Sequence, residues 1–167
     1  MHEIFNPRTG QRMRFIETGP ELLRIETVNP STGVAEPTHV HPHQETRAEV
    51  LSGSLTFVVG GETRRLGPGE SITIPAGVPH HFLNEGDGDA VAIQEARPAL
   101  NLAGFFETYF ELATRGELDE NGRPSLLRYA TLGPRFADEI RVVRPPWPLQ
   151  RALFALLGPV ARLRGLA

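Results

Sequence analysis

The sequence predicts an all-β barrel or sandwich of short antiparallel strands, followed by a helical C-terminal extension. Three observations carry this. Turn-forming residues at 6–10, 29–33, 60–61, 67–69 and 86–89 punctuate the first 98 residues, at roughly the spacing of strand-turn-strand units. Between them apolar and polar residues alternate, the period of a strand with one face in a core. After Pro98 the apolar spacing changes to three and four, the period of a helix.

Taken in order, Leu23, Ile25 and Thr27 alternate with Arg24 and Glu26; Leu55, Phe57 and Val59 with Ser54 and Thr56; Ile72 and Ile74 with Ser71 and Thr73. Gly60-Gly61 supplies the positive φ that a tight hairpin turn needs. No part of residues 1–98 has helical periodicity. Beyond it, Leu102, Phe105, Phe106, Tyr109, Phe110, Leu112 and Ala113 predict an amphipathic helix over 102–115, with Asn101 as N-cap and Gly116 just past its end. Its apolar face is expected against the outside of the barrel. A loop follows over 117–124, and Ser125 is placed to cap a second helix running towards Glu139. Pro145, Pro146 and Pro148 break the chain before a last segment, 149–166, which Gly158-Pro159 should kink or end. The organisation is thus a barrel over 1–98 and a helical extension of the same domain over 99–167.

A chain of 167 residues, 40% of them apolar, can build one core. It has no cysteine, which excludes disulfides and thiolate ligands, and no lysine, which excludes Schiff-base chemistry. A net charge of −3 argues against nucleic acid as partner. All 20 acidic residues precede residue 140 beside 12 of the 17 arginines, a balance of −8, whereas 140–167 carry five arginines and no acid, +5. The N-terminus lacks the apolar stretch of a signal peptide, so a cytoplasmic location is expected. The apolar run 152–161 is about half the length of a membrane span. Between Arg151 and Arg162 it reads either as an interfacial helix or, the favoured reading, as one that packs on its own barrel or a second subunit.

The candidate site lies in two histidine blocks, His39-Val-His41-Pro-His43-Gln-Glu45 and, after the hairpin, His80-His81. Histidines one residue apart share a face only on extended chain, so His39 and His41 can converge, and His80 can join them from a later strand. Neutral imidazoles without competing thiolates suit a first-row transition metal. His81 points to the opposite face from His80, and His43 is read as a surface residue or a proton relay.

These residues resemble the two motifs of the cupin superfamily. Gly69, Pro75, Gly77, His80 and Asn84 match the second motif at every position; Gly33, His39, His41 and Gly53 match the first. The resemblance covers roughly 20–97 and implies a double-stranded β-helix, or jelly roll, of the small single-domain type. The family's metal-binding glutamate falls at position 46, which is Thr46 here. Parity sets Thr46, Ala48 and Val50 inward and Glu45, Arg47 and Glu49 outward, so a three-histidine site is expected, with Glu45 a fourth ligand only if a bulge turns it inward.

What the resemblance implies is one divalent transition metal (zinc, iron, nickel or copper) held by His39, His41 and His80. The expected activity is dioxygenase-like or isomerase- or cyclase-like, on a small organic molecule in a pocket near Phe57, Ile74 and Phe82. The alternative is a non-catalytic small-molecule-binding module in which the helical tail makes the interactions. A homodimer is expected as well, because Phe105, Phe106 and Phe110 need burial.

Overall fold

The computed structural model describes residues 2–166. Ten strands precede the first helix: β1 (His2–Phe5), β2 (Arg12–Thr18), β3 (Leu23–Asn29), β4 (His39–Val40), β5 (Glu45–Ser52), β6 (Leu55–Val59), β7 (Glu62–Leu66), β8 (Ser71–Ile74), β9 (His80–Leu83) and β10 (Ala90–Arg97). They are followed by α1 (Leu102–Thr114), α2 (Leu126–Arg135), the two-residue strand β11 (Arg141–Val142) and α3 (Trp147–Leu163). Two antiparallel sheets result, ordered β1-β2-β3-β10-β5-β8 and β11-β4-β9-β6-β7. The all-β description therefore suits the part before Pro98, and three helices complete the fold.

The alternation seen in the sequence becomes burial. Leu23, Ile25, Thr27 and Asn29 of β3 face inward, in register with Ala96, Gln94, Ala92 and Ala90 of β10. Arg24 and Glu26 face out, where Arg24 pairs with Glu95 and Arg14 with Glu26 across strands. Ala48, Val50, Ala90 and Ala92 from one sheet meet Leu55, Phe57 and Leu66 from the other in the barrel core. At the β6–β7 hairpin Val59 pairs with Glu62, and Gly60 and Gly61 both have positive φ, 58° and 91°. Gly53 also has positive φ, 72°, and a Cβ there would lie 2.6 Å from the Asp89 carbonyl oxygen, so only glycine fits.

The extension departs from expectation in four ways. First, α1 packs on the inward face of β1–β3, where Leu102 and Phe110 join Met13, Phe15, Leu23, Ile25 and Ala96. It covers the face of the larger sheet that the smaller sheet covers elsewhere, because Leu23, Ile25 and Ala96 share their parity with the barrel core. Second, Asn101 makes no side-chain cap; with φ −106° and ψ 32° it lacks the extended backbone of a capping residue, and its N–H instead donates to Glu139 Oε1 at 3.1 Å. Third, Ser125 does cap α2, accepting from the Arg128 N–H at 3.2 Å, but α2 ends at Arg135. The following residues lead into β11, which pairs with β4.

Fourth, α3 runs unbroken through Gly158 and Pro159. Gly158 is buried, facing α2, whereas Pro159 and Ala155 are exposed, so the carbonyl that loses its helical partner at Pro159 meets water. Phe154 fits against Gly133 of α2 and lies near Tyr129 and Trp147, with ring centroids 5.4 and 6.0 Å away.

Candidate metal centre

His39 and His80 are register partners on β4 and β9, directly opposite each other, and His41 follows one residue beyond β4. The extended chain puts His39 and His41 on one side, as their spacing requires. Ring centroids lie 4.4 Å apart for His39 and His80, 5.1 Å for His39 and His41, and 5.4 Å for His41 and His80. All three are buried, and each offers a ring nitrogen within 4.8 Å of the other two.

The backbone orients each ring. Nδ1 of His39 lies 2.9 Å from the Pro37 carbonyl oxygen, Nδ1 of His41 2.6 Å from that of Glu139, and Nδ1 of His80 2.8 Å from that of Val78. A carbonyl only accepts, so each Nδ1 carries the proton and each Nε2 keeps its lone pair free. Burial, the largest influence, lowers the pKa of His39 and His80 to about 4 and of His41 to about 3, so all three are neutral at physiological pH. Three neutral, tautomer-locked imidazoles gathered this closely fit a divalent transition metal as a ligand set.

The motif glycine and asparagine hold the frame. The Gly77 N–H donates to the His41 carbonyl at 2.8 Å, joining the two histidine blocks. Asn84 donates to the carbonyls of Asn29 and Gly88 at 2.7 and 2.8 Å and accepts from the Gly86 N–H, closing the turn before β10.

Glu45 is exposed and paired in register with Arg97, outside the histidine cluster, while Thr46 sits between Ile74 and Ala96 on the inward parity of Ala48 and Val50. No bulge turns Glu45 inward: β5 pairs regularly with β10 from Glu45 to Val50. His43 is exposed at the rim, 3.6 Å from Asp138, and His81 Nδ1 lies 2.9 Å from the Thr38 hydroxyl, away from the cluster. Phe57 and Ile74 are buried in the barrel core with Phe82 packed against them.

Three residues escape the sequence reading. Glu139 reaches His41 through its backbone carbonyl, which no side-chain pattern announces. Gln44 is fully buried; its amide donates to the carbonyls of Pro98 and Ala99, and its Oε1 has no hydrogen-bond partner among the described residues. Glu36 lies behind His39, with Oε1 3.9 Å from Nδ1, and accepts from the Phe82 N–H at 3.3 Å. Desolvation pushes its pKa up to about 8, although 35% side-chain exposure moderates that effect. The one available signal was its place two residues before Thr38, on the approach to the first histidine.

Residues 24–94, most of the barrel, match the cupin domain family. The fold also resembles several solved structures. KdgF from a Halomonas species aligns at 22% identity with a TM-score of 0.51, over 58% of this chain and 86% of that one. TT1209 from Thermus thermophilus aligns at 26% identity and 0.50, over 56% and 88%. An RmlC-like cupin from Shewanella frigidimarina gives 20% and 0.51, over 57% and 83%. No curated protein matches the sequence significantly.

Proposed function

We propose that this cupin is a metal-dependent enzyme acting on a small organic molecule, with one divalent transition metal (zinc, iron, nickel or copper) held by His39, His41 and His80. The observation that carries the reading is the gathering of three buried histidines, each offering a ring nitrogen within 4.8 Å of the other two and each ring held by a carbonyl at Nδ1. Such an ion would supply Lewis acidity towards a substrate oxygen or, if redox-active, dioxygenase-like chemistry. With Thr46 in place of a carboxylate the protein ligands bring no negative charge, which favours an anionic or enolisable substrate. Phe57, Ile74 and Phe82 supply an apolar wall that would exclude water from one side of the site.

The second reading, a non-catalytic small-molecule-binding module, draws support from the same Thr46, since a barrel that holds a ligand needs no metal carboxylate. Elemental mass spectrometry on untagged wild type and His80→Ala separates the two. Near-stoichiometric metal in wild type that is lost in the variant supports the metal reading. Oxygen uptake and turnover across a panel of small carbonyl and enol compounds then test for an enzyme. Metal absent from both proteins overturns the metal reading and leaves the binding module.

A further inference from the structure

Helix α3 buries one face and leaves an apolar one bare. Gln150, Phe154, Gly158 and Ala161 are buried, the last three on the side facing α2. On the opposite side Leu149, Leu156, Val160 and Leu163 are exposed, Leu156 at 72% and Leu163 at 89%, with exposed Ala152 and Pro159 between them. Leu149, Leu156 and Leu163 recur every seven residues, so the stripe runs the whole helix, about 25 Å at 1.5 Å per residue. Other large exposed apolar residues, such as Phe5, Ile16 and Val34, lie elsewhere along the chain.

The charges beside the stripe select its partner. On a helical projection Arg162 lies towards one edge and Arg164 towards the other, with Arg151 further round on the side of α2. All three are exposed, and none pairs with an acidic side chain among the described residues. No acid occurs after Glu139. A second copy of α3 laid on this stripe would bring arginine against arginine with no carboxylate on that helix to answer it. An anionic lipid surface offers what the face lacks: hydrocarbon for the leucines and negative headgroups within reach of arginines at the stripe's edges.

We propose that α3 is an interfacial helix that docks this protein on anionic membrane surfaces, its leucine stripe in the boundary region and Arg162 and Arg164 at the headgroups. No helix among the described residues is long and apolar enough to cross a membrane, so the contact is peripheral.

The test is co-sedimentation of the full chain with vesicles of pure phosphatidylcholine and with vesicles containing phosphatidylglycerol. Binding is expected on the anionic vesicles, falling as salt is raised. The double variant Arg162→Gln/Arg164→Gln should lower the partition coefficient by ~tenfold or more, from the usual worth of each basic residue near a charged surface. Leu156→Ser/Leu163→Ser, whose side chains touch no core, should abolish binding with an unchanged unfolding midpoint. Absence of binding to anionic vesicles overturns the proposal, as does equal binding to both vesicle types. A wild-type dimer by light scattering that Leu156→Ser/Leu163→Ser converts to monomer also overturns it and assigns the stripe to self-association.

Discussion

Each imidazole of the cluster is held through its Nδ1 by a main-chain carbonyl, so its tautomer is set by backbone path rather than by a neighbouring side chain. The cost of burying three ring nitrogens is that protonation opposes folding. The folded pKa values, about 4, 3 and 4, lie below the ordinary 6.5, so the unfolded chain binds more protons over that interval. Stability of the metal-free protein is therefore full above pH 6.5 and lost as pH falls towards about 4. The slope is at most about 1.4 kcal/mol per pH unit for each histidine. Glu36 acts in the opposite sense, because a carboxyl raised to about 8 favours the folded state at low pH and loses that advantage as pH rises from 4.5. Its exposure makes it the smaller influence. Urea unfolding of metal-free protein from pH 4 to 8 should thus show a midpoint that rises to near neutrality and then flattens or dips.

Among the elements, the segment between α2 and β11 links the extension to the site. Glu139 gives its carbonyl to His41 and its carboxylate to the N–H of Asn101 at the start of α1, where a negative charge also meets the positive end of the helix dipole. Glu139→Ala should lower metal affinity by ~10-fold, the lower end for an outer-shell partner, whereas Glu139→Gln, which keeps an acceptor, should retain most of it; a competition titration with a chelator measures both. The α2–α3 contact depends on Gly133, where a Cβ would lie 2.4 Å from Phe154 Cζ. Gly133→Ala gains about 1 kcal/mol of helix propensity but overpacks a ring flanked by Tyr129 and Trp147, at a cost of about 1–3 kcal/mol. A net loss of about 1 kcal/mol is expected by chemical denaturation.

For the whole molecule, barrel and extension share one structure. α1 closes the inward face of β1–β3, β11 extends the sheet that carries His39 and His80, and the carbonyls of Pro98 and Ala99 receive the buried Gln44 amide. A fragment of residues 1–98 would expose Met13, Phe15, Leu23 and Ile25 and remove Glu139 from His41. It should aggregate or run as a heterogeneous species on size-exclusion chromatography, while the full chain runs as one peak. Phe105, Phe106 and Phe110 pack within the chain, so their burial gives no reason for a homodimer.

The strand alternation, the hairpin glycines, the histidine spacing and the inward parity of Thr46 were all legible in the sequence, because each depends on residues a few positions apart and on the period of two that extended backbone imposes. Gly53, Gly69, Gly77 and Asn84 were legible for the same reason: turn geometry is local chemistry. What only the tertiary structure decided was everything brought together across long separations. The Glu139 carbonyl meets His41 from 98 residues away; α1 selects the inward rather than the outer face of the barrel; Gly133 makes room for Phe154; and Pro159 lies on the solvent side of α3, where a helix tolerates it. Local periodicity says that an element has an apolar face, but which surface that face meets depends on where the remaining elements leave core uncovered.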